Sequence, residues 1–411
     1  MSLNLTKSQK EGFKEFKKFL DSSETCICIS GKPGVGKTFF VKEVLVPYIE
    51  DNYYQQIVIT ATTNKASNII GGKTTYSAFG LKMNFNESTG KYNIDTKNVK
   101  TFTNSIIFID EASMLDKILL DIVLRHIIHC KIVFIGDKNQ LPAVGSSINV
   151  FEKYPVIELT DVVRQKKQDL IDCIESAKEC ISQATMFKPV ESENVHIITE
   201  GSKAKDIISS FTNSDKILSF LNERVIGFNQ AYRQILAKPS EFKEGDLVVC
   251  KSYASTYEIQ DNIPFIDSFY AEEEAIITDI SEPHKAVYRD QEINFMVQTV
   301  HVNTKSAGFY IPCNPVLYRQ YLNCFAKDKA WGMYYFFKEK IADLRDNNAC
   351  TIHASQGSTY DRVFIDYDTI VHGKGQSIGN KARMLYVALS RAKEEIFIYS
   401  KELKNEIIKR R

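Results

Sequence analysis

The chain lacks several features that would each have narrowed its class. It has no stretch of ~18 apolar residues, the length a membrane-crossing helix needs. Its start, MSLNLTKSQKEGFKEF, carries no apolar signal-peptide core. These absences read as a soluble cytoplasmic protein with no membrane partner. No charge of one sign dominates: 52 Lys and Arg stand against 51 Asp and Glu, a net of +1. Any polyanion would have to be held by a local groove rather than by bulk charge. The nine cysteines are odd in number and include no CxxC pair. Neither a disulfide framework nor a zinc cluster is indicated. There is also no internal repeat and no low-complexity segment.

What is present is an ordinary globular composition, 44% apolar and 25% charged over 411 residues, enough for two to four domains of ~150 residues. Short β-rich runs recur at TCICIS (25–30), QIVIT (56–60), SIIFID (105–110), KIVFIG (131–136) and VIELT (156–160). Helical patterns lie between several of them, as at 11–20, where Phe13, Phe16, Phe19 and Leu20 share one face, and at 117–127. This alternation predicts an α/β fold with buried parallel strands and crossover helices. The same texture returns as ILSFL and RVIGFN (217–229), RVFIDYD (362–368) and EIFIYS (395–400), which predicts a second α/β sheet. Between these, residues 242–311 hold short, closely spaced strands with Gly, Asp and Pro at the breaks, as in a small inserted β-barrel. An aromatic and basic helical stretch follows at 318–345 and contains the only tryptophan, Trp331. A turn-rich segment at 84–95 suggests a hairpin.

GKPGVGKT (31–38) follows an apolar strand and opens a helix, the context that a phosphate-binding P-loop requires. Gly31, Gly34 and Gly36, with Pro33 and Val35 between them, let backbone N–H groups wrap phosphates closely. Lys37 reaches the β and γ phosphates, and Thr38 offers a hydroxyl to Mg²⁺. FIDEAS (108–113) ends a second buried strand in two carboxylates. Asp110 is placed as the Mg²⁺ partner, and Glu111 as the group that orients or deprotonates the attacking water. Metal-dependent hydrolysis of a nucleoside triphosphate follows, although a nucleotide kinase could use the same loop.

Further segments carry a family resemblance. GDKNQLPAV (136–144), ELTDVVRQ (158–165), TIHASQGSTYDRVFID (351–366) and LYVALSRAK (385–393) resemble the third to sixth motifs of superfamily 1 helicases, and LTKSQK (5–10) resembles their Q-motif. The resemblance implies that Gln140 senses the γ-phosphate, Arg164 contacts phosphate, Arg391 is an arginine finger, Gln9 reads adenine and Gly357 adjoins the nucleotide. Order and length resemble superfamily 1B, most closely the Dda-like phage helicases, with RecD-like ones next. That implies two RecA-like P-loop NTPase domains, 1–83 with 98–158 and 159–241 with 341–411. It further implies a hairpin insertion at 84–97 and an SH3-like β-barrel insertion at 242–340. The activity implied is ATP-dependent 5′ to 3′ movement on single-stranded DNA with duplex unwinding at junctions. A monomer is expected to act, in the host cytoplasm if phage-encoded, with a single-strand-binding protein or replisome proteins as candidate partners. A RecD-like motor subunit, a nucleic-acid-dependent ATPase switch and an RNA helicase stay open as alternatives.

For strand contacts the resemblance implies Thr63 and Asn64, within a Thr62-Thr63-Asn64 that departs from the family's Pro-Thr-His. It adds Thr75, Tyr76 and Phe79 from TTYSAFG, Pro142 from the third motif, and Thr351 and His353 from the fifth. Tyr76 stands where the family usually has His and could stack on a base. Phe85 or Tyr92 would form the tip of a duplex-splitting hairpin. The dense aromatics Trp331, Tyr334, Tyr335, Phe336 and Phe337 read as packing between the inserted barrel and the second sheet rather than as base contacts.

Overall fold

The computed structural model describes residues 4–86, 91–142, 148–161, 167–260 and 263–403. The chain divides into two compact units, Met1–Thr199 with Ser355–Arg411, and Glu200–Ala354.

The first unit is built on a parallel sheet of six strands. Their order is Val156–Leu159, Cys26–Gly31, Lys131–Gly136, Ser105–Asp110, Gln56–Ala61 and Lys73–Thr74. Every residue of Cys26–Gly31 and Ser105–Asp110 is buried, as expected of parallel strands covered on both faces. Alternation sends Ile27 and Ile29 into a core with Phe16, Phe40 and Ile49, while Cys26 and Cys28 join Leu120, Val123 and Phe134 on the other side. Burial pushes the Cys28 thiol up to about 12, so it packs as a small hydrophobe.

The first helix, Lys7–Asp21, begins earlier than its apolar face suggests. Thr6 accepts from the Gln9 N–H and the Gln9 side chain accepts from the Thr6 N–H, a reciprocal capping box. The helix after the P-loop runs as Lys37–Phe39, a π-type turn at Phe40–Leu45, and Val46–Asn52. Pro47 has no N–H to return to the preceding turn, and the Val46 N–H bonds back five residues to Val41, which absorbs the mismatch. Lys82–Asn86 and Lys91–Asp95 pair as an antiparallel hairpin in which Phe85 stands opposite Tyr92. The side chains of that pair lie outside the described residues.

Val195–Ile198, Ala392–Tyr399 and Tyr360–Asp366 form a second set of adjacent parallel strands in this unit. Helices Gln168–Gln183 and Ile378–Leu389 pack against one another beside it.

The second unit holds a parallel pair, Lys216–Ser219 with Ala349–Thr351. RVIGFN, grouped with strand-like texture in the sequence, lies instead within helix Asn222–Ile235. Its buried positions Asn229, Tyr232 and Arg233 have helical spacing, a period visible only when the window extends past the apolar run. The rest is antiparallel: Leu344–Asp346, Leu247–Cys250, Glu274–Ile280, Gln291–Val302 and His284–Tyr288 in order, with Phe309–Pro312 also on Gln291–Val302. Val248, Phe269, Ile277, Val300 and Phe309 fill its core. Helices Pro315–Lys327 and Trp331–Lys340 bring Phe337 into a cluster with Phe295, Tyr318 and Tyr321, whereas Trp331 and Tyr335 face outward. No described helix is long and apolar enough to cross a membrane.

Candidate nucleotide and strand-binding site

Gly34 and Gly36 adopt left-handed backbone, φ 88° and 81°, which turns the P-loop into the start of the helix at Lys37. Gly31 is needed for closeness instead, since a Cβ there would lie 2.6 Å from Val35 Cγ2 and 2.8 Å from the Leu159 carbonyl oxygen. The Lys37 ammonium donates to the carbonyls of Gly31 at 2.6 Å and Lys32 at 3.1 Å, so it is held over the loop. Gln9 is buried beneath the loop, with its side-chain amide donating to the Val35 carbonyl at 3.3 Å while its oxygen serves the capping box. Its side chain therefore braces the P-loop.

Asp110 is buried at the end of its strand and accepts the Glu111 N–H at 2.8 Å. Burial, and then the neighbouring Glu111 carboxylate, push its pKa up, against the opposing pull of that N–H and of Lys37. The negative field that raises it is one that a bound cation would relieve. Asp110 and Thr38 supply an all-oxygen donor set of the kind Mg²⁺ takes. Glu111 itself is held at φ 52°, a strained conformation for a long side chain, and its buried Oε2 has no hydrogen-bond partner. Gln140 is likewise buried with Oε1 unpartnered. Both are buried polar atoms that folding alone leaves unsatisfied.

Arg391 is 2% exposed, and donates to the Val387 carbonyl at 3.0 Å, the Ser358 carbonyl at 3.1 Å and Ser390 Oγ at 2.9 Å. Burial lowers its pKa, and Glu111 is the chief charge opposing that shift. Among the described residues, two of its five N–H groups make no hydrogen bond. Gly357 takes φ 75° beside Glu111, where the missing Cβ leaves 3.5 Å to Oε1. Arg164 lies outside the described residues.

The strand-contact residues divide. Thr63 caps helix Asn64–Ile70 by accepting the Ala66 N–H at 3.1 Å, with Asn64 beside it at the helix start. Tyr76 is half-buried, its phenol donating to Asp116 at 3.4 Å. Thr75 and Phe79 do not fit their expected part. Both are 0% exposed; the Thr75 hydroxyl is bonded to Thr60 and to the Ala61 carbonyl, and Phe79 packs edge-on to Phe102. Their segment is a short helix, so Thr75, Ala78 and Phe79 turn inward while Ser77 is exposed and Tyr76 keeps one face towards solvent. Pro142 is exposed. In the second unit, Thr351 ends its strand and accepts the Ala354 N–H at 3.2 Å, and burial lowers the pKa of His353, keeping it neutral.

Several residues inside the quoted motifs were not singled out from sequence. Asp137 is 1% exposed and accepts the Tyr386 phenol at 2.6 Å. Gln356 donates to the Leu141 carbonyl at 3.4 Å, Arg383 to the Lys138 carbonyl at 3.0 Å, and Lys32 of the P-loop forms an ion pair with Glu175. An acid closing an apolar strand, as in KIVFIGD, was the available signal for Asp137; nothing in LYVALSRAK marks Tyr386 as its partner.

Comparison with known proteins agrees with this layout. A AAA domain family matches residues 4–198 and a UvrD-like helicase C-terminal domain matches residues 348–399. The uncharacterized protein R530 of Acanthamoeba polyphaga mimivirus is 22% identical, over 89% of this chain and 93% of that protein. RecD of the RecBCD enzyme from Buchnera aphidicola is 28% identical over 35% of this chain, which spans only 27% of that subunit. Among solved structures, Pif1 helicase from Bacteroides, in complex with ADP-AlF3 and ssDNA, matches with TM-score 0.54 at 17% identity, covering 100% of this chain and 97% of that one. Pif1 helicase from Candida albicans matches with TM-score 0.53 at 16% identity and covers 99% of each chain. The chain thus carries a match to a AAA domain and one to a UvrD-like helicase C-terminal domain, in a fold similar to that of the Pif1 helicases.

Proposed function

We propose that the protein is an ATP- and Mg²⁺-dependent DNA helicase that moves 5′ to 3′ on single-stranded DNA and opens duplex at junctions. The observation that carries the hydrolytic part is the pair of unpartnered oxygens, Glu111 Oε2 and Gln140 Oε1, in the unit that also holds Lys37 and Arg391. Lys37 and the loop N–H groups hold the phosphates, while Thr38 and Asp110 hold the metal, which when bound neutralises charge on the β and γ phosphates. Glu111 orients the attacking water. Arg391, with Arg164, answers the charge that develops on the γ-phosphate, and Gln140 reports whether that phosphate is present. Gln9 and Gly357 border the nucleotide.

DNA as the track is supported by the Pif1 likeness, since the Bacteroides Pif1 structure contains ssDNA. Thr63, Asn64, Tyr76, Pro142, Thr351 and His353 are the strand contacts in this reading, and the hairpin pairing Phe85 with Tyr92 is the wedge. The antiparallel sheet of the second unit is read as an SH3-like barrel inserted in the second of two RecA-like domains. A Dda-like monomer working with single-strand-binding or replisome proteins is the corresponding assignment.

Strand displacement on forks with a single 5′ or 3′ tail tests the proposal. Opening of the 5′-tailed fork, lost in Lys37→Ala, is expected; opening of only the 3′-tailed fork overturns the polarity. Stimulation of ATP turnover by DNA over RNA oligomers is expected, and the reverse preference overturns DNA as the track. The RecD similarity favours a second reading, a motor that acts only within a larger enzyme. Single-strand-stimulated ATPase without unwinding by the isolated chain selects it.

A further inference from the structure

Asp137 is a carboxylate placed where carboxylates are costly: 1% exposed, at the end of the buried strand Lys131–Gly136. It makes three well-formed hydrogen bonds. Oδ1 accepts the Asn139 N–H at 2.9 Å, its carbonyl accepts the Gln140 N–H at 3.0 Å, and Oδ2 accepts the Tyr386 phenol at 2.6 Å. The first two shape the turn that carries Gln140. The third reaches across 249 residues of chain to helix Ile378–Leu389.

Tyr386 is 0% exposed and stands just over one turn before Arg391. Its carbonyl accepts the Ser390 N–H at 3.0 Å, and Ser390 Oγ accepts from the Arg391 guanidinium at 2.9 Å. An unbroken run of hydrogen bonds therefore links the backbone of Gln140 to the guanidinium of Arg391 through Asp137, Tyr386 and Ser390. Every member of it is at least nine-tenths buried. A phenylalanine would fill the Tyr386 position equally well by volume, so the hydroxyl is retained for its bond to Asp137.

We propose that Asp137 and Tyr386 are positioning residues that lock the Gln140 turn to the Arg391 helix, so that both groups meet the γ-phosphate as one body. The inference rests on the reading of this site as an ATPase and adds to it what aligns its two phosphate-facing groups. Both side chains are buried and bonded to protein groups. Their loss should leave ground-state binding intact and lower turnover.

The test is a double-mutant cycle on the full chain, because spatial continuity alone does not demonstrate coupling. ATP turnover with saturating single-stranded DNA is measured for wild type, Tyr386→Phe, Asp137→Ala and the double variant. The expected result is a fall in kcat of about 10-fold or more for each single variant, with KM for ATP within about 2-fold. The double variant should be no worse than the poorer single one. Asp137→Asn keeps an acceptor for the phenol and should retain most of the turnover; it also serves if Asp137→Ala does not fold, as read by thermal unfolding. Wild-type kcat in Tyr386→Phe, losses that multiply in the double variant, or a change confined to KM would each overturn the proposal. If the wild-type chain itself hydrolyses no ATP, the reading of the site fails and this inference with it. Normal wild-type turnover with an unaffected Tyr386→Phe defeats the inference alone.

Discussion

Glu111 and Gly357 both hold left-handed backbone, φ 52° and 75°, and the place where a Gly357 Cβ would sit is 3.5 Å from Glu111 Oε1. The two belong to distant parts of the sequence yet share one corner of the candidate site. Gly357→Ala should therefore act in two ways. The positive φ costs about 1–2 kcal/mol for any L side chain. The added methyl also comes into contact with the Glu111 carboxylate. A small drop in unfolding midpoint accompanied by a fall of about 10-fold in kcat is expected. A stability loss with unchanged kcat would show that the glycine serves only the turn.

Glu111 invites a sharper test. Its Oε2 is buried without a partner, a cost that folding alone gives no reason to keep. Glu111→Gln should leave ATP binding in place and reduce turnover by about 10²-fold or more, the usual contribution of a positioned base. Stability should hold or rise slightly, because a neutral amide is cheaper to bury than a carboxylate. Turnover at the wild-type rate would remove Glu111 from the mechanism.

A different kind of prediction comes from the second unit. Arg233 donates to Asp246 at 2.9 Å and to Asp346 at 2.8 Å, and Lys238 adds a bond to Asp246 at 2.9 Å. Burial works to raise Asp246, but Lys238, the Lys243 N–H and Arg233 together hold it below the usual carboxylate value. Asp346 is pushed up by burial and by the neighbouring Asp246, against the pull of Arg233 and Lys238. The stability due to Asp246 is present above the unfolded carboxylate pKa of about 4 and is lost as pH falls through the lower folded value. Asp246→Asn should cost about 3 kcal/mol at pH 7 and reduce the loss of stability below about pH 4. Denaturant unfolding across pH 3 to 7 reads both effects; an unchanged acid limb would refute the assignment.

Much of this molecule is written locally. The strands Ser105–Asp110 and Lys131–Gly136 are legible because a fully buried parallel strand is an unbroken apolar run, and the P-loop because its glycines answer a backbone demand. Asn222–Ile235 is not legible as a helix because its inward face includes Asn229 and Arg233, polar residues that satisfy buried partners and so hide the helical period. Thr75 and Phe79 fall inside a strand-contact motif yet pack inward, because a motif gives order along the chain but not which side of a one-turn helix faces the core. The Asp137–Tyr386 bond could not be read at all, since it joins two motifs through a contact that neither spacing nor composition encodes.

Tyr76 is where packing and binding can be separated. Its ring lies against the core beside Phe79 and its phenol bonds to Asp116, the residue that caps helix Lys117–Arg125. Burial, then Asp116, push the phenol up to about 12, so it stays protonated through any ordinary assay. Tyr76→Phe removes only the bond to Asp116 and should cost about 1 kcal/mol of stability with DNA affinity unchanged. Tyr76→Ala also removes the ring. If the exposed face stacks on a base, single-strand affinity should fall by the equivalent of about 1–3 kcal/mol, largely without regard to base sequence. Fluorescence anisotropy with labelled oligonucleotides on both variants decides between the two roles: equal affinities for Phe and Ala would leave Tyr76 as packing beneath the site.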